Sequence, residues 1–106
     1  MTKVTYCRDN QKIKQIIFEG HTNQADYGYD IVCASLSTIY LVTINAIIKF
    51  GYHENIIYEI ADGFSKLEVL KSNQEISILL ENLLDNVYSL AKKYPNAIKI
   101  MEEKTC

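Results

Sequence analysis

The chain has 106 residues, of which 48% are hydrophobic and 23% charged, a composition typical of one globular domain over residues 1–106. The formal net charge of -2 at pH 7 lacks the basic surplus that a nucleic-acid backbone attracts, so we expect no direct nucleic-acid partner. Cys7, Cys33 and Cys106 are odd in number and widely scattered. This argues against a disulfide scaffold and for a reducing compartment with free thiols. We expect no signal peptide, because the first residues are polar and alternating.

Two alternating segments open the chain. Apolar and polar side chains alternate in residues 3–8 and 12–19, as they do in β-strands. Asp9-Asn10 between them suits a tight turn, because both residues tolerate positive φ. We predict a β-hairpin here, although the alternation leaves its register open.

A polar loop at 20–30 leads into a long apolar helix. Asp30 is placed as its N-cap, and the helix is expected to run to about Phe50, with Gly51 as its stop. The eighteen residues from Ile31 to Ile48 carry no charge, which touches the lower limit for a membrane span. Hydroxyl and amide side chains within this segment, and the lack of basic flanks, argue against a membrane span. A helix buried in a small domain, or partly at a dimer interface, fits better.

The second half repeats the strand–strand–helix order. Residues 56–61 and 64–70 flank Asp62-Gly63, the dipeptide that type I′ turns favour. Residues 72–75, Ser-Asn-Gln-Glu, read as a capping box before a second helix. Apolar residues recur along this helix at spacings of three and four residues and form one stripe. They are Ile76, Leu79, Leu80, Leu83, Leu84, Val87, Tyr88 and Ala91.

The chain closes with one short strand. Pro95 ends the second helix, and Ala97 to Met101 reads as the strand. The order ββαββαβ predicts a single α+β domain with two helices packed on a mostly antiparallel or mixed sheet.

The stretch 20–33 holds a histidine near its start and a cysteine at its end. If Asp30 caps the helix, Cys33 lies in the first turn, where unpaired backbone N–H groups favour a thiolate and an oxyanion. His21, at the end of a strand, is placed to hold that thiolate and to protonate a leaving amine.

Residue types alone leave other interpretations open. A free cysteine is usually a buried apolar side chain, and the pattern by itself favours that for Cys33. His53 is expected to be a solvated turn residue. No metal site is expected, because the chain has no C-x-x-C and its histidines and cysteines lack paired ligand spacing. A redox protein fits less well, since no resolving cysteine lies near Cys33 in sequence. A cysteine enzyme is one candidate among several.

A set of motifs changes this balance. Gly20-His21, Tyr27-Gly28 and the run Asp30-Ile-Val-Cys-Ala34, with Ser37 and Asn45-Ala-Ile-Ile48, resemble the ribosomal-processing cysteine protease family, Prp. The order of the motifs and the gap from His21 to Cys33 match that family. Thr22 departs mildly from it, standing where an alanine is common.

The resemblance implies a cytoplasmic bacterial endopeptidase that acts as a homodimer and needs no cofactor. Its relatives remove a short N-terminal extension from the large-subunit ribosomal protein numbered twenty-seven during ribosome assembly. Carried over by position, Cys33 is the nucleophile and His21 the general base and acid. Asp30 either caps the helix or orients His21, and Ser37 either lines the cleft or packs. The loop 22–30 is expected to be a mobile cover over the substrate. The residues expected to control access are Gly20, just before the loop, and Thr22, Asn23, Tyr27 and Gly28 within it.

The competing function class is not enzymatic. In that interpretation the chain is a small α+β module that binds a ribosomal or assembly partner without cutting it, and Cys33 is packed and unreactive.

Overall fold

The computed structural model describes residues 1–20 and 29–106, which form five strands and two α-helices. The elements are β1 (Thr2–Asp9), β2 (Lys12–Glu19), α1 (Tyr29–Lys49), β3 (Ile56–Ala61), β4 (Phe64–Val69), α2 (Gln74–Lys93) and β5 (Ile98–Glu103), with one turn of 3-10 helix at His53–Asn55. The strands form a single sheet in the order β3-β4-β2-β1-β5. Strand β5 runs parallel to β1, and the other neighbours are antiparallel. The predicted ββαββαβ order, the mixed sheet and the α+β class are confirmed.

Both helices lie on the same face of the sheet. Tyr6 and Phe18 project from this face, because Phe18 pairs directly with Val4 and strand side chains alternate. The Phe18 ring meets the ring of Tyr40 on α1 edge-on at 5.3 Å, and the Tyr6 hydroxyl lies 3.1 Å from that of Tyr88 on α2. The hydrophobic core therefore fills the space between this face and the two helices.

The first hairpin turns one residue later than expected. Asp9 still pairs with Lys12, and the two loop residues are Asn10 (φ 52°) and Gln11 (φ 67°). Positive φ at both positions is what a type I′ turn requires. The predicted turn at Asp9-Asn10 is therefore wrong by one position, because Asp9 completes the strand ladder.

A β-bulge sets the register that the sequence pattern left open. The pairing shifts between Cys7 and Arg8, where Lys14 is the extra residue on β2. The shift brings Ile13 into the core with Ile16, although the spacing of the two residues does not fit strict alternation.

The second hairpin has nearly the predicted bounds, but its turn is of a different type. Gly63 has a φ of 77°, whereas Asp62 is not among the described residues with positive φ. The loop is thus not the I′ turn that Asp-Gly favours, since that turn needs positive φ at both positions.

The helix ends differ slightly from those predicted. Helix α1 begins at Tyr29, so Asp30 lies in its first turn and not at the N-cap position. Gly51, with a φ of 91°, follows its last turn as expected, and the Tyr52 N–H donates to Ile47 O at 3.1 Å.

Helix α2 is capped by a different residue than the capping box implied. Its N-cap is Asn73 and not Ser72, because the Asn73 side chain accepts a hydrogen bond from the Ile76 N–H at 2.8 Å. The helix ends at Lys93, just before Pro95.

Helix α1 is long and apolar enough, by length and composition, to cross a membrane. In this structure one side of the helix is a core surface of the domain. Its buried residues are Val32, Leu36, Tyr40, Thr43, Ile44 and Ile47.

Two of the three cysteines are joined. Cys7 and Cys106 form a disulfide with a Cα–Cα distance of 5.4 Å, and Cys33 remains a free thiol. The expectation that Cys7 and Cys106 stay free is therefore wrong. Their proximity could not be predicted from the sequence, because they are 99 positions apart. They meet because β5 pairs with β1, where Glu103 lies opposite Cys7.

Candidate active site

A cavity of about 370 Å³ lies between the first half of α1, the start of β1, the end of β2 and the turn between β3 and β4. Its apolar walls come from both helix and sheet and include Phe18, Leu36, Tyr40, Leu41, Ile60 and Phe64. The Cys33 thiol lines the same cavity, together with the polar residues Thr2, Ser37, Asp62 and Ser65. A free thiol beside an apolar pocket of this size suits the binding of a substrate side chain next to a reacting bond.

Cys33 is half-buried and is the fifth residue of α1. The unpaired N–H groups at the start of a helix belong to the residues before its second turn, so the backbone N–H of Cys33 is not one of them, contrary to the expectation from an Asp30 cap. The side chain of a helical residue leans towards the N-terminus, which directs the thiol towards those free donors and the positive end of the helix dipole.

Tyr40 fixes the distance between α1 and the hairpin that closes the cavity. Its hydroxyl lies within hydrogen-bond distance of two backbone carbonyl oxygens on neighbouring strands, Glu59 O on β3 at 3.0 Å and Lys66 O on β4 at 2.7 Å. Burial of the side chain raises the pKa of Tyr40 to about 12. Two turns before it, Cys33 is thereby held at a set position relative to the β3–β4 turn.

Gly20 closes the cavity at the end of β2. Its φ is 145°, and a Cβ on it would lie 2.5 Å from Met1 O and 2.9 Å from Thr2 Cα, so the close approach of β1 excludes any side chain. Its N–H donates to Gly63 O at 3.1 Å, which ties the end of β2 to the β3–β4 turn.

The structure brings together three of the residues that the sequence singled out. Cys33, Ser37 and Gly20 all line the cavity. His21, Thr22, Asn23, Tyr27 and Gly28 lie outside the described residues, as do the side-chain roles predicted for Asp30. His53 is exposed in the 3-10 turn before β3. Within residues 1–20 and 29–106, no three His, Cys, Asp or Glu side chains are grouped as metal ligands.

Sequence reasoning missed the residues that shape the cavity. Tyr40 carried one available signal, because a buried tyrosine in an uncharged helix needs a hydrogen-bond partner for its hydroxyl. Thr2 and the β3–β4 turn carried none, since their place at the cavity depends on the pairing of distant strands.

The family described as cysteine protease Prp matches residues 1–99. The chain belongs to this family. It is thus a cysteine protease, and the resemblance in its motifs is confirmed.

Solved and characterised relatives agree with this assignment. The ribosomal processing cysteine protease Prp of Staphylococcus aureus is 30% identical over 94 residues, which cover 87% of this chain and 89% of the relative. A crystal structure of Prp from S. aureus with a substrate peptide superposes with a TM-score of 0.88 at 24% identity, over 97% of this chain and all of that one. A second S. aureus structure, with a covalently linked product peptide, has a TM-score of 0.80 at 26% identity over the same shares.

The Tyr40→Phe substitution tests the anchor between α1 and the hairpin. It removes the donor shared by two strand carbonyls, so we expect the free energy of unfolding to fall by about 0.5–1.5 kcal/mol in a urea titration. Tyr58→Phe on β3 is the matched control, because Tyr58 is largely exposed, and should change stability by less than about 0.5 kcal/mol. Equal effects of the two substitutions would contradict the anchoring role.

Proposed function

We propose that this protease removes the N-terminal extension of the large-subunit ribosomal protein numbered twenty-seven, with Cys33 as nucleophile and His21 as general base and acid. The observation that carries the proposal is a free thiol at the start of a helix, facing a cavity. Gly20, which precedes His21 in the sequence, lines the same cavity. The S. aureus relatives are named for ribosomal processing and were solved with peptides, which supports a ribosomal precursor as substrate.

The proposed reaction is acyl transfer in two steps. The Cys33 thiolate attacks the carbonyl carbon of the scissile peptide bond, and free N–H groups at the start of α1 stabilise the oxyanion. The C–N bond then breaks as the His21 imidazolium gives its proton to the departing amine, leaving a thioester on Cys33. The departing amine is the new N-terminus of the shortened protein. Water, deprotonated by His21, then attacks the thioester, which releases the extension as a carboxylic acid and restores the thiolate.

Three neighbouring features complete the proposal. Asp30 is assigned to orient His21, because the start of α1 at Tyr29 takes it out of the N-cap position. The segment 22–30 covers the bound peptide and shields the attack of the thiolate on the peptide bond from bulk water. Ser37, one turn after Cys33 at the cavity wall, contacts the peptide beside the scissile bond. We also propose a cytoplasmic location, because ribosomal precursors are made there.

Cys33→Ala tests the nucleophile. It removes the sulfur that forms the thioester, so cleavage of the ribosomal precursor should fall by at least about a thousandfold while the circular dichroism spectrum is kept. The control is Cys106→Ser, which opens the Cys7–Cys106 disulfide outside the cavity and should retain activity. Cleavage by Cys33→Ala at the wild-type rate would exclude Cys33 as the nucleophile.

We also propose that two copies associate through the exposed side of α1. This surface, which we call the uncharged face, lies within the uncharged stretch from Ile31 to Ile48 and consists of Ile31, Ala34, Ser37, Thr38, Leu41, Val42, Asn45 and Ile48. The spacing of three and four places these residues on one side of the helix. Val42 is 62% exposed, and a contiguous surface of this kind marks an interface more often than a solvated helix.

Val42→Asp tests the dimer. A carboxylate at the centre of the uncharged face would be buried in the dimer without a partner, so we expect a monomer by light scattering at micromolar concentration, where the parent chain is a dimer. Ile78→Asp is the matched control, because Ile78 on α2 is 58% exposed and lies outside that face. The interface is elsewhere if Val42→Asp stays dimeric, and the chain does not dimerise if the parent protein is monomeric.

A further inference from the structure

Thr2 lines the catalytic cavity and has a buried hydroxyl without a hydrogen-bond partner among the described residues. The residue is 5% exposed, and the same cavity holds the Cys33 thiol. Buried hydroxyls are nearly always hydrogen-bonded, so an unpartnered one at a binding cavity indicates a partner that arrives with the ligand.

The backbone around Thr2 is held in place, so only its side-chain hydroxyl lacks a hydrogen-bond partner. The Thr2 N–H donates to Ala97 O at 2.8 Å, and Gly20 packs against its Cα. Its side chain projects from the same face of β1 as Val4, towards the helices. Rotation between staggered χ1 states can therefore turn the hydroxyl to the cavity without moving the strand.

The rest of the cavity limits what can reach this hydroxyl. The walls formed by Phe18, Tyr40 and Ile60 are apolar, and the Tyr40 hydroxyl is already bonded to two strand carbonyls. An apolar group fills such walls well but leaves Thr2 unpaired. A side chain with an apolar body and a polar tip, such as tyrosine or glutamine, satisfies both.

We propose that Thr2 is a specificity-determining residue, whose hydroxyl hydrogen-bonds the polar tip of the substrate side chain that fills the cavity. The inference rests on the proposed function, because it takes the cavity to be a substrate subsite. Thr2 takes no part in the chemistry at Cys33 and selects among peptides. A buried polar group of this kind discriminates strongly, because a substrate without the matching group leaves it unpaired.

The test uses peptide pairs that differ in one polar group. Fluorescent peptides carry Tyr or Phe, and Gln or Met, at each of four positions on either side of the scissile bond, and their dissociation constants are measured on the Cys33→Ala background. At one position we expect the Tyr or Gln peptide to bind about tenfold more tightly than its apolar match. Adding Thr2→Val should reduce this ratio to within about twofold, and Thr2→Ser should retain it.

Two controls separate recognition from a structural role. Thr5→Val removes the hydroxyl of another buried threonine, on the opposite face of β1, and should leave every ratio unchanged. Thr2→Val should unfold at the same or a higher urea concentration than the parent, because valine has nearly the same shape and no unpaired hydroxyl.

The outcomes distinguish this inference from the proposed function. Ratios that are the same in Thr2→Val and the parent, or ratios near one at all positions in the parent, would overturn the role of Thr2. The same peptides are then incubated with the parent enzyme. Binding with the expected ratios but without cleavage would contradict the proposed function and leave the recognition by Thr2 established.

Discussion

The cavity depends on how α1 is held against the β3–β4 hairpin. The Tyr40 hydroxyl reaches carbonyl oxygens on two strands, and its ring packs edge-on against Phe18 of β2. One side chain therefore connects the helix to three strands beneath it. Since Cys33 lies two turns earlier on a rigid helix, this anchor also sets the position of the thiol against the turn at Gly63 and the end of β2 at Gly20.

Helix α1 has three surfaces with different tasks, which explains why its residues from Ile31 to Ile48 carry no charge. One side is buried in the core, its first turns carry Cys33, the proposed nucleophile, and a third side is the uncharged face proposed for dimerisation. Leu41 and Ser37 belong to that face and also line the cavity. A second copy docked there would lie beside the substrate, so association and catalysis would share a boundary.

Sequence patterns predicted the elements well and their long-range contacts poorly. Local signals were sufficient for two hairpins, two helices and the stop at Gly51, because turn preference and periodicity act over a few residues. The pairing of β1 with β5 and the Cys7–Cys106 disulfide depend on residues far apart in sequence. The bulge at Lys14 is local, but it breaks the alternation from which the register would be predicted. At the site, helix position and motif singled out Cys33. Thr2, Tyr40 and the β3–β4 turn became visible only once the strands were paired.

The central claim is that His21 activates Cys33, and the rate of Cys33 alkylation tests it most directly. Native protein is treated with iodoacetamide near neutral pH, and the modified peptide is followed by mass spectrometry while Cys7 and Cys106 remain bonded to each other. A histidine that holds the thiolate makes the parent chain react about tenfold faster than His21→Ala, with His53→Ala as the matched control at the parental rate. Equal rates in the parent and His21→Ala would contradict the account.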